Sequence, residues 1–178
     1  CADAVRLIRK DNPFPTACAY ICEHPCEARC RRNMVDDAIN IRGLKRYAVD
    51  HAGVDPSPEC APATGKTVAI IGGGPSGLSC AYYLALMGHG VDGDEEREQL
   101  GGMLRYGIPQ HRFPREKLSE IESILSLGIE VHTGVTVGRD IWLEKLEQEY
   151  DCIYIAFGAH QDKKTGIPGE NSKNVISA

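Results

Sequence analysis

Four thiols recur at one interval near the start of the chain: Cys18, Cys22, Cys26 and Cys30, within CAYICEHPCEARC. Thiolate is a soft anionic donor, so a ladder of this kind points to metal chemistry. The C-x3-C-x3-C-x3-C spacing departs from the zinc habit of close pairs split by a longer loop. With Pro25 interrupting any helix, the spacing suits a chain wrapped round a compact cluster, and cysteine thiolates are the ordinary ligands of a 4Fe-4S cluster. Zinc and free or redox-active thiols stand as the alternatives. The four need not share one cluster, since the last cysteine of such a run often serves a neighbouring one.

The second constellation is Gly72-Gly73-Gly74-Pro75-Ser76-Gly77, which follows the apolar run Thr67-Val68-Ala69-Ile70-Ile71 and precedes an apolar helical stretch. Gly72-x-Gly74-x-x-Gly77 between strand and helix is the dinucleotide fingerprint. Its first glycine permits the turn, its second lets backbone approach a pyrophosphate, and its third lets helix and strand pack closely. The helix then offers free N–H groups and a positive dipole end to the phosphates. A purely structural glycine turn is the plainer alternative. An acidic residue roughly 20 positions on should meet the ribose hydroxyls. Glu95 fits and Glu96 is its neighbour, although solvated charge in the run DEERE explains both equally well. The strand leading to Glu95 should be apolar and internal, yet it reads Val91-Asp92-Gly93-Asp94. Two aspartates and a glycine make a poor buried strand, so a short, frayed strand or an altered site is expected here.

These groups need elements to hold them. Residues 1–54 read as a small helical segment: a helix over 2–10 that stops before Asn12-Pro13, and an amphipathic helix over 39–51 with Ile41, Leu44 and Ala48 on one face. Residues 55–64 hold three prolines and read as a linker. From 65 to 178 strand and helix alternate: strand 67–71, helix 76–87 closed by Gly88 or Gly90, helix 115–127 closed by Gly128, strand 129–132, helix 141–149 capped by Asp140, and a buried strand 152–157. That alternation predicts an α/β fold with a parallel, doubly wound sheet.

Composition narrows the function. A net charge of −5 over 178 residues disfavours a nucleic-acid partner. No apolar run approaches the length that spans a bilayer, and no secretory signal is expected from the opening residues. A secreted disulfide framework is the alternative use of eight cysteines. Their clustering beside a nucleotide turn favours a cytoplasmic metal-binding protein instead. Cys80 and Cys152 sit in apolar runs and are expected in the core. Cys1 is no translation start, so a piece of a longer chain is expected.

Together these residues resemble the glutamate synthase small (beta) subunit family, with its beta-like relatives in anaerobic electron-transfer complexes and the N-terminal half of dihydropyrimidine dehydrogenase. The resemblance is carried by Asn12-Pro13-Phe14-Pro15 with the cysteine run, by Ile41-Arg42-Gly43-Leu44-Lys45-Arg46, and by the GGGPSGL turn. Gly101-Gly102-Met103-Leu104-Arg105-Tyr106-Gly107-Ile108-Pro109, Arg112-Phe113-Pro114-Arg115, Ala156-Phe157-Gly158-Ala159 and Gly166-Ile167-Pro168-Gly169-Glu170 extend it. It implies a Rossmann-like FAD-binding domain, C-terminally incomplete, behind an N-terminally truncated iron–sulfur segment. It also implies electron flow between NADPH (or NADH), FAD and 4Fe-4S clusters, and a larger partner subunit: the glutamate synthase large subunit, or a ferredoxin-, hydrogenase- or formate-linked one. Gly72, Gly74, Pro75, Ser76 and Gly77 would hold the pyrophosphate and Glu95 the ribose. Gly102, Met103 and Arg112 would lie along the flavin, and Val137 would meet the adenine through its backbone. Where some relatives carry a Gln or Glu cluster ligand this chain has Lys45, whose ammonium has no lone pair to give; Cys18 is expected to replace it.

A flavin carries its own hydride and electron chemistry, so no acid–base dyad is expected. His24 reads as structural or as a donor to cluster sulfur, and His132 as exposed. His111 lies near the expected flavin edge. Tyr82-Tyr83 reads as core and rim, and Trp142 as packing. The rival to an oxidoreductase subunit is a non-catalytic electron-relay or assembly module.

Overall fold

The computed structural model describes residues 1–53, 58–160, 163–173 and 175. Residues 55–57 of the expected linker fall outside them.

The N-terminal segment holds four helices: α1 (Ala2–Arg9), α2 (Pro15–Ile21), α3 (Pro25–Ala28) and α4 (Ile41–His51), with a 3-10 turn at Arg31–Met34. Pro15 and Pro25 each sit in the first turn of their helices, where a missing N–H is no loss. Asn40 caps α4 by accepting from Gly43 N at 2.9 Å. On α4, Ala48 is buried and Leu44 is exposed, so the expected apolar face is narrower than Ile41–Leu44–Ala48.

The second part alternates β1 (Thr67–Ile71), α5 (Pro75–Leu86), β2 (Gly90–Glu95), α6 (Met103–Tyr106), α7 (Glu120–Leu125), β3 (Glu130–Thr133), α8 (Leu143–Glu149) and β4 (Cys152–Ile155). The four strands form one parallel sheet in the order β3-β2-β1-β4. α5 is apolar on most faces because it lies under the sheet with Leu78, Ala81, Tyr82 and Ala85 buried. Gly88, at φ +82°, ends it. The stretch expected as one helix over 115–127 is a 3-10 turn at Arg115–Ser119 followed by α7.

Several expectations are corrected. β2 is neither short nor frayed: it pairs with β1 over Gly90–Asp94 and with β3 over Asp92–Glu95. Val91 joins the core, while Asp92 Oδ2 accepts from Tyr150 OH at 2.9 Å. That bond, after burial itself, pushes the Tyr150 hydroxyl up to about 12. β4 is an edge strand with exposed residues rather than a buried one, and Cys152 is exposed with it. Trp142 is exposed too, and caps α8 by backbone position alone. Asp140 does not cap α8; its carboxylate accepts from Thr136 N at 2.9 Å and closes the 136–140 loop.

One core unites both parts. Phe14, Ala17, Ala19 and Tyr20 of the cysteine-bearing segment pack with Val68, Ile70, Leu78, Phe113, Ile121 and Ile124. Phe113 is wholly buried, and its ring meets the Tyr20 ring edge-on at 5.8 Å. The Glu120 carboxylate of α7 is buried where it accepts from Thr16 N (2.9 Å) and Ala17 N (2.8 Å). It thus satisfies the free N–H groups opening α2, which has no side-chain cap of its own.

Candidate cofactor site

In a parallel sheet all strands end at one edge, and ligands bind in the crevice beyond that edge. Here the ends of β1, β2, β3 and β4 surround a cavity of about 580 Å³. Gly72, Gly74, Pro75 and Ser76 wall it from the first turn, Glu95 from β2, Val137 from the loop after β3, and Gly102 and Met103 from the segment opening α6. Ala156, Phe157 and Gly158, which follow β4, complete the opposite wall.

The wall is made of backbone because side chains would not fit. Gly72 has φ +111°, and a Cβ on it would lie 2.5 Å from Ala156 O. A Cβ on Gly77 would fall 2.0 Å from Gly72 O, so α5 packs directly on the turn. Gly102, at φ +49°, lies against Gly74. A Cβ on Gly74 would be in ordinary contact with Gly102, 3.8 Å from its Cα. The start of α5 lines the cavity with N–H groups that no side chain caps, a setting suited to an anionic diphosphate. Ser76 Oγ lies 3.0 Å from the Tyr154 hydroxyl, tying α5 to β4.

Glu95 ends β2 buried, at 8% exposure. Its Oε2 accepts from Gly73 N at 2.6 Å and its Oε1 from Arg97 N at 2.8 Å, which pins the glycine turn to β2. Each oxygen keeps a lone pair for a ribose hydroxyl. Two other buried polar atoms on the wall residues have no partner, Asp94 Oδ1 and Thr136 Oγ1. Burial raises the Asp94 carboxyl above its ordinary range. A glycine-walled cavity at the strand ends, with uncapped N–H groups at the start of α5 and lone pairs left on Glu95, fits a dinucleotide. Sequence reasoning missed Asp94 and Thr136 as wall residues; the aspartate was visible only as a flaw in a strand.

Arg112 is not on the cavity wall. Its guanidinium lies 3.4 Å from Glu23 Oε1, bridging the 109–114 segment to the turn after α2. Gly77 lies beneath the wall rather than on it.

The cysteines fall on consecutive short elements: Cys18 within α2, Cys22 as its C-cap, Cys26 in α3 and Cys30 before the 3-10 turn. All four are free thiols. His24 has φ +43°, the one positive φ among described residues other than glycine. That bend turns its backbone N–H onto Cys22 Sγ at 3.3 Å. Its ring Nδ1 lies 3.0 Å from Glu27 Oε2, and Glu27 Oε1 accepts from Arg42 N at 2.8 Å. Backbone hydrogen bonds from Ile39 first, then Arg32, hold the Cys30 thiol below its ordinary range. Among the described residues no three His, Cys, Asp or Glu side chains are gathered closely enough to hold a single metal ion. The donor set is nonetheless that of an iron–sulfur site, soft thiols with backbone N–H groups directed at sulfur. No helix among the described residues is long and apolar enough to cross a membrane.

Residues 66–178 match the pyridine nucleotide-disulphide oxidoreductase family, and residues 1–55 match dihydropyrimidine dehydrogenase domain II, 4Fe-4S cluster. The chain is 42% identical over 175 residues to the NADPH-Fe(3+) oxidoreductase subunit beta of Geobacter sulfurreducens, covering 95% of this chain and 26% of that protein. It is 35% identical over 181 residues to the glutamate synthase [NADPH] small chain of Mycobacterium tuberculosis, covering 99% of this chain and 37% of that one. The solved structure of Mycobacterium tuberculosis FprA in complex with NADPH superposes with a TM-score of 0.54 at 26% identity, over 62% of this chain and 26% of that chain. The chain thus spans between a quarter and two fifths of these relatives.

Proposed function

For a chain that belongs to the pyridine nucleotide-disulphide oxidoreductase family, we propose the role of a cytoplasmic electron-transfer module that carries FAD and iron–sulfur within an NADPH-dependent oxidoreductase subunit. Residues 1–54 are its iron–sulfur part, 55–64 its linker and 65–178 its FAD-binding part. The observation that carries this reading is one shared core: the helices bearing the thiol ladder pack on the domain whose strand ends form the cavity. Matches of the two parts to an iron–sulfur domain and a nucleotide-dependent oxidoreductase family support it.

FAD supplies hydride acceptance and one-electron release when bound, and a 4Fe-4S cluster supplies one-electron steps. The protein's own part is placement. Gly72, Gly74, Pro75, Ser76 and the start of α5 hold the diphosphate, with Gly77 letting α5 close on the turn. Glu95 holds the ribose, Val137 the base through its backbone, and Gly102 and Met103 the flavin side. Cys18, Cys22, Cys26 and Cys30 hold the iron. Arg112, off the wall, acts at the seam between the parts. Relatives named as beta subunits support a larger redox partner subunit.

The test is anaerobic titration of the full-length chain with NADPH. Bleaching of the flavin band followed by loss of cluster absorbance is expected. A flavin that NADPH leaves oxidised makes the chain a relay instead. Cys18→Ser is expected to lose iron and keep flavin; unchanged iron removes Cys18 from the ligand set.

A further inference from the structure

Two of the thiols outside the ladder stand on adjoining elements: Cys80 on α5 and Cys152 at the start of β4. Both are free; Cys152 is exposed, and Cys80 is partly buried against the core. The sheet register fixes the face they share. Cys152 pairs with Val68 and Tyr154 with Ile70, and register partners in a parallel pair point to the same side. Ile70 Cγ2 lies 3.0 Å from where a Cβ on Gly77 would stand, so this is the side on which α5 packs.

The contact between Ser76 Oγ and the Tyr154 hydroxyl, at 3.0 Å, sets the level of the two elements. α5 returns from the end of β1 to the start of β2, and β2 and β4 run parallel to β1, so α5 is antiparallel to β4. The four helix residues from Ser76 to Cys80 advance about 6 Å on one face. The two strand residues from Tyr154 back to Cys152 advance about 6.6 Å on one face in the same direction. The steps match, so Cys80 arrives above Cys152. α5 also lies close to the sheet, because Gly77, Ala81 and Ala85 recur at four-residue intervals on its buried side. Close approach matters, since a disulfide needs Cα atoms within about 7 Å. Burial first, and then the charge of Cys152, hold the Cys80 thiol above its ordinary range, so each thiol lies in the field of the other.

We propose that Cys80 and Cys152 form a reversible thiol–disulfide site, closed by exchange with a small-molecule disulfide, that fastens α5 to β4. The exposed Cys152 thiolate attacks the small disulfide, forms a mixed disulfide and releases one small thiolate. Cys80 gives up its proton and attacks the Cys152 sulfur, which releases the second. Two protein thiols are oxidised to one disulfide, and the small disulfide is reduced to two thiols that take up the two protons. The bond joins the helix carrying Ser76 to the strand leading into Ala156, Phe157 and Gly158, residues on opposite walls of the cavity. In a reducing compartment such a bond is transient and senses redox state rather than holding the fold.

The test uses the full-length chain, purified without oxygen and exchanged into glutathione buffers from fully reduced to fully oxidised. Remaining thiols are alkylated, and an unreduced digest is read by mass spectrometry. A linked Cys80–Cys152 peptide is expected in most chains in the oxidised buffer, and dithiothreitol is expected to remove it. Cys80→Ser and Cys80→Ala are expected to carry glutathione on Cys152 at about tenfold the wild-type level, because no second thiol displaces it. Cys152→Ser is expected to show neither the link nor an adduct on Cys80. A wild type that keeps glutathione on Cys152 with Cys80 free overturns the proposal. So does a link from either cysteine to a different one, or no reaction at either.

Discussion

The two chemical regions of this molecule are built in opposite ways. The nucleotide cavity is written into backbone: positive φ at Gly72 and Gly102, and close approaches at Gly72 and Gly77 that no side chain permits. The thiol ladder is written into side chains on short elements, with no three of its ligands gathered among the described residues. A dinucleotide finds its site in the folded sheet. A metal cluster is held by the side chains themselves, and its binding energy becomes folding energy. What joins the regions is the core running from Tyr20 to Phe113 and the polar ties across it.

The largest expected effect breaks the backbone-built side. Gly77→Ala puts a methyl 2.0 Å from the Gly72 carbonyl oxygen. Since the obstacle is backbone, destabilisation of about 3 kcal/mol or more is expected in urea unfolding, with loss of copurifying flavin. A change under about 1 kcal/mol would show that the turn yields.

Next comes the seam. Glu120→Ala leaves Thr16 N and Ala17 N without their acceptor in a buried setting. A loss of about 2–3 kcal/mol is expected in urea unfolding, with Glu120→Gln about half as costly.

The Asp50 cluster gives a smaller, pH-dependent effect. Burial alone would raise this carboxyl, but hydrogen bonds from Lys117, Tyr20 and Arg46 outweigh it and bring it to about 2. A carboxyl lowered in the folded state adds stability above its unfolded value near 3.8 and loses it as pH falls toward about 2. Its side chain is 25% exposed, so solvent screening leaves about 1 kcal/mol. The stability gap between wild type and Asp50→Asn should be full at pH 6, fall to about a third by pH 2.5 and close only below about pH 2; a gap that does not narrow contradicts the assignment.

Smallest is Arg112→Ala. With its guanidinium on Glu23 at an exposed 3.4 Å contact and off the cavity wall, flavin affinity should change less than threefold. A tenfold loss on a fluorescence titration would move Arg112 into the flavin site.

The sequence announces what is local. β1, the glycine turn and α5 form one continuous pattern, and they lie where the spacing of Gly72, Gly74 and Gly77 says. Contacts set by distant partners are illegible. Glu120 reads as one charge of an amphipathic helix, because its acceptor role depends on residues 103 and 104 positions away. The apolar run 152–155 looks buried on both faces, yet it lies at the sheet edge, and run composition carries no edge information. Asp140 had the residue type of a helix cap but closes its own loop first. Asp92 and Asp94 seem to forbid an internal strand only until Tyr150, His132 and Lys145 are brought beside them.

The most direct measurement is flavin and iron per chain on the full-length protein purified without oxygen. About one FAD and at least about four iron atoms per chain are expected, with Gly77→Ala losing the first and Cys22→Ser reducing the second independently. A colourless preparation holding neither would contradict the assignment of the glycine cavity to flavin and of the thiol ladder to iron.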